Sequence, residues 1–193
     1  PLDHRIPGVR HGPRRRVHPA GCGMGLKGRV MDLLRVGDEQ ELGALAVREP
    51  RATRFLLGRL WDPDENLRQR AARALGKAAR AHPEIGIDLI RRLMWALNDE
   101  SATNGLYGIP AVAEIGFNHP ELVAPFIAPL ASLSWDDGLR LEIIRALTRI
   151  AEAAPEAVRP VCQLIAEYVD CEDPSERQAF ERLLEESGGI DES

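Results

Sequence analysis

The residues best placed to do chemistry lie near the middle of the chain, between two helix-like stretches. This polar segment combines carboxylate, hydroxyl and amide groups with aromatic rings: Trp95, Asp99, Glu100, Ser101, Thr103, Asn104 and Tyr107. Hydrogen-bonding groups beside amphipathic rings are typical of a recognition surface. Because Gly105, Gly108 and Pro110 follow closely, we expect a polar loop before a helix that begins near Ile109. The alternative interpretation is a degraded stretch whose polar groups are simply solvated.

The rest of the chain supplies no enzyme motif for these groups. There is no nucleophile elbow, no phosphate-binding loop and no set of metal ligands at a regular spacing. The glycine-rich run around Cys22 follows no predicted strand, so it does not predict a nucleotide site. We therefore predict no catalytic residue, no metal and no cofactor, and we favour a non-catalytic role.

The elements that must position the polar segment are clearest in the stretch 60–76. Asp62 and Pro63 predict a turn, because proline presets φ and stops the preceding helix. Asp64 is a suitable N-cap for the next helix. Apolar and small residues then recur at helical spacing on one face: Leu67, Ala71, Ala74, Leu75 and Ala78. The stretch predicts a helix end, a turn and a second helix whose alanines let a neighbouring helix approach closely.

Weaker copies of this stretch follow at a regular period. The segment 73–84 matches 145–156, which lies 72 residues, or two periods of 36, further along. In each copy a Pro-Glu pair opens an apolar helix, at Pro83, Pro120 and Pro155. A period of 33 to 37 residues with two helices indicates a solenoid.

The stretch 60–76 resembles the HEAT repeat, in particular the short repeat of the phycobilisome-lyase type. The matching residues are Leu60, Asp62, Pro63, Asp64, Arg68, Ala71, Ala72, Ala74, Leu75 and Gly76. The resemblance extends over residues 38–172, but the match to the repeat pattern is poorer outside the stretch 60–76. It implies an all-α fold, namely a right-handed α-solenoid of about four HEAT-like helix pairs with a C-terminal capping helix. The run that starts at Asn98 is also similar to a group of bacterial HEAT-like proteins.

The repeat divides the chain into predicted elements. The helix pairs are expected at 38–48 and 50–61, 64–81 and 83–98, 109–118 and 120–134, and 137–153 and 155–171, with the cap at 174–187. No helix is predicted before residue 38. Residues 1–28 are predicted to be a basic Gly/Pro-rich N-terminal arm, and residues 29–193 the HEAT-like repeat domain.

The N-terminal arm carries charge of the opposite sign to the rest of the chain. Residues 1–30 have a net charge of +6, whereas the whole chain has −5. The favoured interpretation is a dispensable tail, or sequence upstream of a start at Met24 or Met31. Two alternatives stay open: an arm that binds nucleic acid or an acidic partner, and an arm that lies on the acidic body.

Basic residues form a stripe on the second helix of the best repeat: Arg70, Arg73, Lys77 and Arg80. Arg145 matches Arg73 in the later copy, and both are expected to flank the polar segment on the concave face. The stripe is interpreted as a solvated face or as a surface for an anionic patch of a partner. Arg68 and Arg140 occupy the position at which HEAT repeats carry an arginine that bonds the turn aspartate.

These observations favour a protein–protein interaction or scaffold module that binds another protein. The resemblance leaves two enzymatic alternatives open. The first is an enzyme similar to the alkylpurine DNA glycosylases, whose site would be formed here by two tryptophans and two aspartates: Trp95, Asp99, Trp135 and Asp136. The second is an enzyme similar to the bilin lyases. The acidity of residues 31–193 argues against nucleic acid as the partner.

Cysteine content and hydropathy bear on location. Three cysteines form an odd, sparse set that favours a reducing, cytoplasmic setting. No run of about 18 apolar residues predicts a membrane span.

Overall fold

The structure, a computed structural model, describes residues 24–97 and 103–190. The described residues are helical and contain no β-strand, so the all-α prediction is confirmed. The helices are α1 Leu26–Val36, α2 Glu39–Arg48, α3 Thr53–Leu57, α4 Glu65–Ala81, α5 Pro83–Leu97, α6 Thr103–Leu106, α7 Ile109–Asn118, α8 Pro120–Ala131, α9 Asp137–Ala151, α10 Pro155–Val158, α11 Cys162–Ala166 and α12 Pro174–Ser187. Short 3₁₀ segments lie at Pro50–Ala52, Ser132–Trp135 and Arg159–Val161. No helix within these described ranges has the length and apolarity needed to cross a bilayer.

Aspartates cap the N-termini of four helices. The carboxylates of Asp38, Asp64, Asp136 and Asp173 accept backbone N–H groups in the first turns of α2, α4, α9 and α12, at 2.7 to 2.9 Å. Each bond satisfies an N–H group that has no partner inside its helix. Helix α7 has no side-chain cap and starts instead with a proline, Pro110, near its first position. These capping aspartates and the proline therefore determine where the helices begin.

Two of the predicted helices are broken. The expected helix 50–61 is a 3₁₀ turn followed by α3, which ends at Leu57, and the expected helix 155–171 is divided into α10, a 3₁₀ turn and α11. Pro160 explains the second break, because it lacks the N–H that an α-helix needs and its ring displaces the preceding turn. After Leu57 the N–H groups of Arg59 and Leu60 bond three residues back, which is the tighter 3₁₀ pattern.

Helix α1 was not predicted. It places Val30 and Leu34 in the core with no exposed surface, and it packs against α2, α3 and α4. Gly37 ends the helix with φ of 84°, a left-handed conformation that glycine adopts without strain. Residues 26–28 of the predicted arm belong to this helix, while residues 1–23 of the arm lie outside the described part of the chain.

The longer helices pack in two rows. In the front row α2, α4, α7, α9 and α12 each contact the next, and in the back row α5 contacts α8, which contacts α10. Successive helices of the two rows also pack in pairs, α4 with α5, α7 with α8 and α9 with α10. Small residues bring the front row close together. A Cβ added to Gly76 of α4 would lie 2.4 Å from the carbonyl oxygen of Glu114 on α7, so only glycine permits this crossing.

The turn arginines donate to backbone carbonyls of the turns, and Arg140 also pairs with the carboxylates of Asp137 and Glu176. Arg68 donates to the carbonyl oxygen of Asp62 at 2.9 Å, and Arg140 to that of Ser134 at 2.8 Å. Arg177, which the sequence analysis overlooked, donates to the carbonyl of Cys171 at 3.0 Å. In all three cases the acceptor lies six residues before the arginine. Arg68 therefore bonds Asp62 as expected, but through the backbone carbonyl, whereas the carboxylates of Asp62 and Asp136 bind other groups. The Asp62 carboxylate accepts from Arg59 and from the N–H of Asp64, and that of Asp136 caps α9.

Polar contacts also join helices through residues that lie 34 to 38 positions apart in the sequence. Arg70 of α4 donates to the carbonyl of Leu34 in α1 at 2.8 Å, and Arg73 bonds the Glu39 carboxylate of α2 at 2.7 Å. Lys77 donates to the Glu39 carbonyl at 3.3 Å. Three members of the predicted basic stripe thus hold the preceding helices. The proposal that the stripe is a face for an anionic partner does not suit these three side chains.

Candidate functional site

The predicted polar segment is only partly within the described residues. Asp99, Glu100 and Ser101 lie outside them, and for Asn104 the description covers the backbone alone. A polar loop was predicted before residue 109, but residues 103–106 of this stretch form the short helix α6. Gly105 packs so closely on α5 that an added Cβ would lie 2.8 Å from the Cα of Leu97. This contact holds the segment against the end of α5 and places Tyr107 just beyond it.

Tyr107 lies at the edge of a small cavity in the front row. Its ring is 38% exposed, and the Arg68 guanidinium lies 4.9 Å from the ring centroid, which is a cation–π distance. The cavity has a volume of about 130 Å³ and is lined by Glu65, Arg68, Gln69, Leu106, Tyr107, Pro110 and Glu142. One predicted anchor residue is therefore available to a ligand on this face.

Arg145 belongs to the same face. It lines a cavity of about 430 Å³ that shares Glu65, Gln69, Pro110 and Glu142 with the cavity beside Tyr107. Its guanidinium pairs with Glu142, one turn earlier on α9. The structure thus brings Tyr107 and Arg145 to one groove through residues that both cavities share.

Trp95 and Arg73 were expected to lie beside Tyr107 and Arg145, but neither residue lines this groove. Trp95 is near the end of α5, in the back row, and it is 73% exposed. Arg73 is on the front row but directs its guanidinium to Glu39 of α2. Trp135, proposed for the glycosylase-like alternative, is 61% exposed in the 3₁₀ segment before α9, and its neighbour Asp136 is engaged in capping that helix.

A third cavity continues the groove across α9 to α12. It has a volume of about 460 Å³ and is lined by Arg145, Thr148, Arg149, Glu152, Ser175, Gln178, Ala179 and Arg182. Arg145 and Arg149 line both this cavity and the 430 Å³ cavity. We call the three adjoining cavities the front groove. It runs over α4, α7, α9 and α12.

Arg149 is the electrostatic centre of the front groove. Its Nε lies 3.1 Å from the Glu114 carboxylate of α7, it also pairs with Glu152, and its guanidinium lies 3.3 Å from the centroid of the Phe117 ring. Burial alone would lower the pKa of Arg149, but the hydrogen bonds and charges of Glu114 and Glu152 outweigh it, so the pKa is raised. Arg149 therefore keeps its charge while it joins α7 to α9.

Two groove residues offer unused polar groups. Glu65 is exposed and Gln69 is half-buried, and neither side chain has a hydrogen-bond or ion-pair partner among the described residues. These residues were not among the predicted site residues, nor were Arg149 and Arg182. The signal for Arg149 was present, since it aligns with Lys77 of the stripe. Aligning the sequence of one helix with that of another does not show which neighbouring helix packs beside such a residue.

The chemistry available in the front groove is that of ionic and hydrogen-bonding recognition. Carboxylates, guanidinium groups, a phenol and amides line it, with Pro110, Ala113 and Ala179 between them. Within residues 24–97 and 103–190, no group of three His, Cys, Asp or Glu side chains is placed to hold a metal ion.

Comparison with known proteins adds one relative. A protein of Archaeoglobus fulgidus, described as an uncharacterized protein, is 32% identical over 116 residues, which are 58% of this chain and 62% of the relative. The chain thus spans less than two thirds of that relative's length. No protein-family model matches the chain, and no solved structure matches it.

Proposed function

We propose that this chain is a HEAT-like right-handed α-solenoid. Support comes from the order of packing, in which α2 contacts α4, α4 contacts α7, α7 contacts α9, and α9 contacts α12. Further support comes from polar contacts between residues 34 to 36 positions apart, such as Arg73 with Glu39 and Arg149 with Glu114. Repeat arrays have contacts of this kind, because each unit buries its face only against its neighbours. In this proposal α12 is the capping helix.

The array acts, we infer, as a protein-interaction module rather than an enzyme, and the front groove is its binding surface. The observation that carries this is that the three cavities share lining residues from one to the next, across four helices. An extended segment of a partner could contact all four. Tyr107 supplies an amphipathic anchor at one end, and Glu65 and Gln69, which have no partner in the described part of the chain, supply hydrogen-bonding groups beside it. The cytoplasm is the proposed location, since the described Cys162 and Cys171 are thiols.

Site-specific photo-crosslinking tests the proposed binding surface. A benzophenone amino acid placed at Gln69 should form an adduct with a discrete partner in extract of the organism that encodes the protein. The control position is Arg92, an exposed residue of α5 that lines a separate cavity in the back row. An adduct from Gln69 that is missing from Arg92 supports the proposal. The same adducts from both positions, or adducts from Arg92 alone, would contradict it.

A second experiment tests the residues that the sequence predicted. Asp99→Ala combined with Tyr107→Ala should leave the helical circular dichroism signal intact and reduce the Gln69 adduct, because Tyr107 borders the groove. The matched control is Tyr168→Ala, which removes a ring with the same exposed fraction, 38%, after α11. Equal adduct yield from all three proteins would place the partner elsewhere.

A further inference from the structure

Three guanidinium groups converge on the cavity between α9 and α12. Arg145 and Arg149 project from α9 and Arg182 from α12, and all three line the same space of about 460 Å³. Among the described residues of that lining, Glu152 is the one acidic side chain. Two further carboxylates lie just outside this lining, because Glu142 pairs with Arg145 and Glu114 pairs with Arg149, so Arg182 is the least engaged of the three arginines.

Arg182 and Arg145 remain accessible to a bound anion although each has a carboxylate nearby. Arg182 is 65% exposed, and its contact to Glu152 is 3.8 Å long, beyond hydrogen-bond distance. Arg145 is 58% exposed and pairs with Glu142 within its own helix. Exposed pairs of this kind contribute little free energy, so an incoming anion can share or replace them at small cost. Gln178 and Ser175 add neutral hydrogen-bonding groups to the lining.

The other end of the front groove has the opposite character. Moving toward α4, the lining includes the carboxylates of Glu65, Glu114 and Glu142. A nucleic acid strand, which carries a negative charge at every nucleotide, would meet these carboxylates along its path. A peptide can instead place its own carboxylates beside the arginines and neutral or basic residues beside Glu65, which satisfies both ends.

We propose that the cavity between α9 and α12 receives side-chain carboxylates of an acidic segment in the partner protein. Arg182 and Arg145 bind the carboxylates directly, while Arg149 stays held by Glu114 and fixes the geometry. The inference depends on the proposed function, since it names the chemistry of the segment that occupies the front groove.

Fluorescence anisotropy with defined peptides tests this proposal. The probe is a labelled peptide of about twelve residues with three consecutive glutamates followed by a Gly-Ser spacer and two lysines, long enough to lie along the groove. A peptide with glutamines in place of the glutamates, and a single-stranded oligothymidine of similar length, serve as comparison ligands. The glutamate peptide should bind, and added salt should weaken its binding. The glutamine peptide should not bind.

Charge reversal identifies the arginines. Arg182→Glu should weaken binding of the glutamate peptide about tenfold, the loss expected for one charge-assisted contact. Arg145→Gln should weaken it in the same direction. The matched control, Arg92→Glu, makes the same change of charge on the back row and should leave binding unchanged. Circular dichroism verifies that each variant is folded, which the exposure of all three side chains favours.

The outcomes separate this inference from the proposed function. Equal peptide affinity for wild type and Arg182→Glu would overturn the inference. Tighter binding of the oligothymidine through the same arginines would overturn it too, since it would make phosphate the ligand. If either result is obtained while Gln69 still forms its adduct, the proposed interaction module is supported. Only the proposal that the partner supplies carboxylates is then wrong. If the peptide binds through Arg182 but Gln69 forms no adduct, the interaction module loses its support and the carboxylate site remains.

Discussion

Arg140 of α9 and Glu176 of α12 form an ion pair that is almost closed to solvent. Arg140 is 7% exposed and Glu176 is 6% exposed, and Nη1 of the arginine lies 3.3 Å from each carboxylate oxygen. Arg140 also donates to the carbonyl of Ser134, and Glu176 accepts the N–H of Asp170 at 2.9 Å. Burial alone would lower the pKa of Arg140, but Asp137 and Glu176 raise it overall, so the arginine stays charged.

Breaking this pair should strongly destabilise the C-terminal helices. Glu176→Ala removes the buried carboxylate partner of the Arg140 guanidinium and leaves only the exposed carboxylate of Asp137, so we expect a loss of about 3–5 kcal/mol in the free energy of unfolding by urea. Glu176→Gln should cost less, because its amide oxygen can still accept the N–H of Asp170. The control is Glu41→Ala, which removes an exposed pair with Arg48 and should cost less than about 1 kcal/mol. Similar losses from the buried and the exposed pair would show that burial of this contact is unimportant.

The closest crossing of α4 and α7 depends on Gly76. In Gly76→Ala the added Cβ would lie 2.4 Å from a backbone oxygen that cannot rotate away, so the helices must separate. We expect a loss of about 1–3 kcal/mol in urea denaturation, the range for overpacked cores. Gly58→Ala is the matched change, because the nearest atom there is 3.7 Å away and φ is −65°. It should be neutral or stabilising, and an equal effect at both glycines would refute the close crossing.

Ala74 on α4 tests the buried alanine face. Ala74 is 2% exposed, so Ala74→Glu would place a carboxylate among apolar neighbours, and we expect loss of the cooperative thermal transition. Ala128→Glu makes the same change at an exposed position of α8 and should retain the transition. The measurement is thermal melting followed by circular dichroism at 222 nm. A normal melt for Ala74→Glu would mean that the face assigned to the core is wrong.

The N-terminal arm and α1 should behave differently when removed. Deletion of residues 1–23 keeps all of α1, and we expect the melting midpoint to change little. Deletion of residues 1–36 also removes Val30 and Leu34, whose burial is worth about 2 kcal/mol each, so the midpoint should fall clearly. A fall of several degrees after the shorter deletion would show that the arm contacts the body.

The sequence predicted the helix starts well because the signals are local. Pro83, Pro120 and Pro155 each begin a helix where the Pro-Glu pairs indicated, and Asp64 caps α4 as expected. A turn residue acts on its own backbone, so its effect can be recognised without knowledge of the rest of the fold. Proline also explains an error, since Pro160 interrupts a stretch whose apolar pattern continues.

The contacts between helices were harder to predict. The stripe that contains Arg73 looked like a solvated or partner-binding face, because spacing on one helix does not say which neighbour lies beside it. The apolar residues of α1 were overlooked because glycines surround them, although Val30 and Leu34 are four apart. Among the predicted site residues, Tyr107 and Arg145 reach the front groove, whereas Trp95 lies on the back row.

The polar contacts between helices named above join residues 30 to 38 positions apart, from Arg182 with Glu152 to Lys77 with Glu39. This short reach bears on how the chain acquires its structure during synthesis. As the polypeptide leaves the ribosome, α4 can dock on α1 and α2 before the residues of α9 have been made, because nothing in those contacts waits for the C-terminus. Each later helix then adds to a surface that is already formed. The nascent chain can therefore fold progressively from its N-terminal end, and at each stage the apolar face that awaits the next helix is the surface left open.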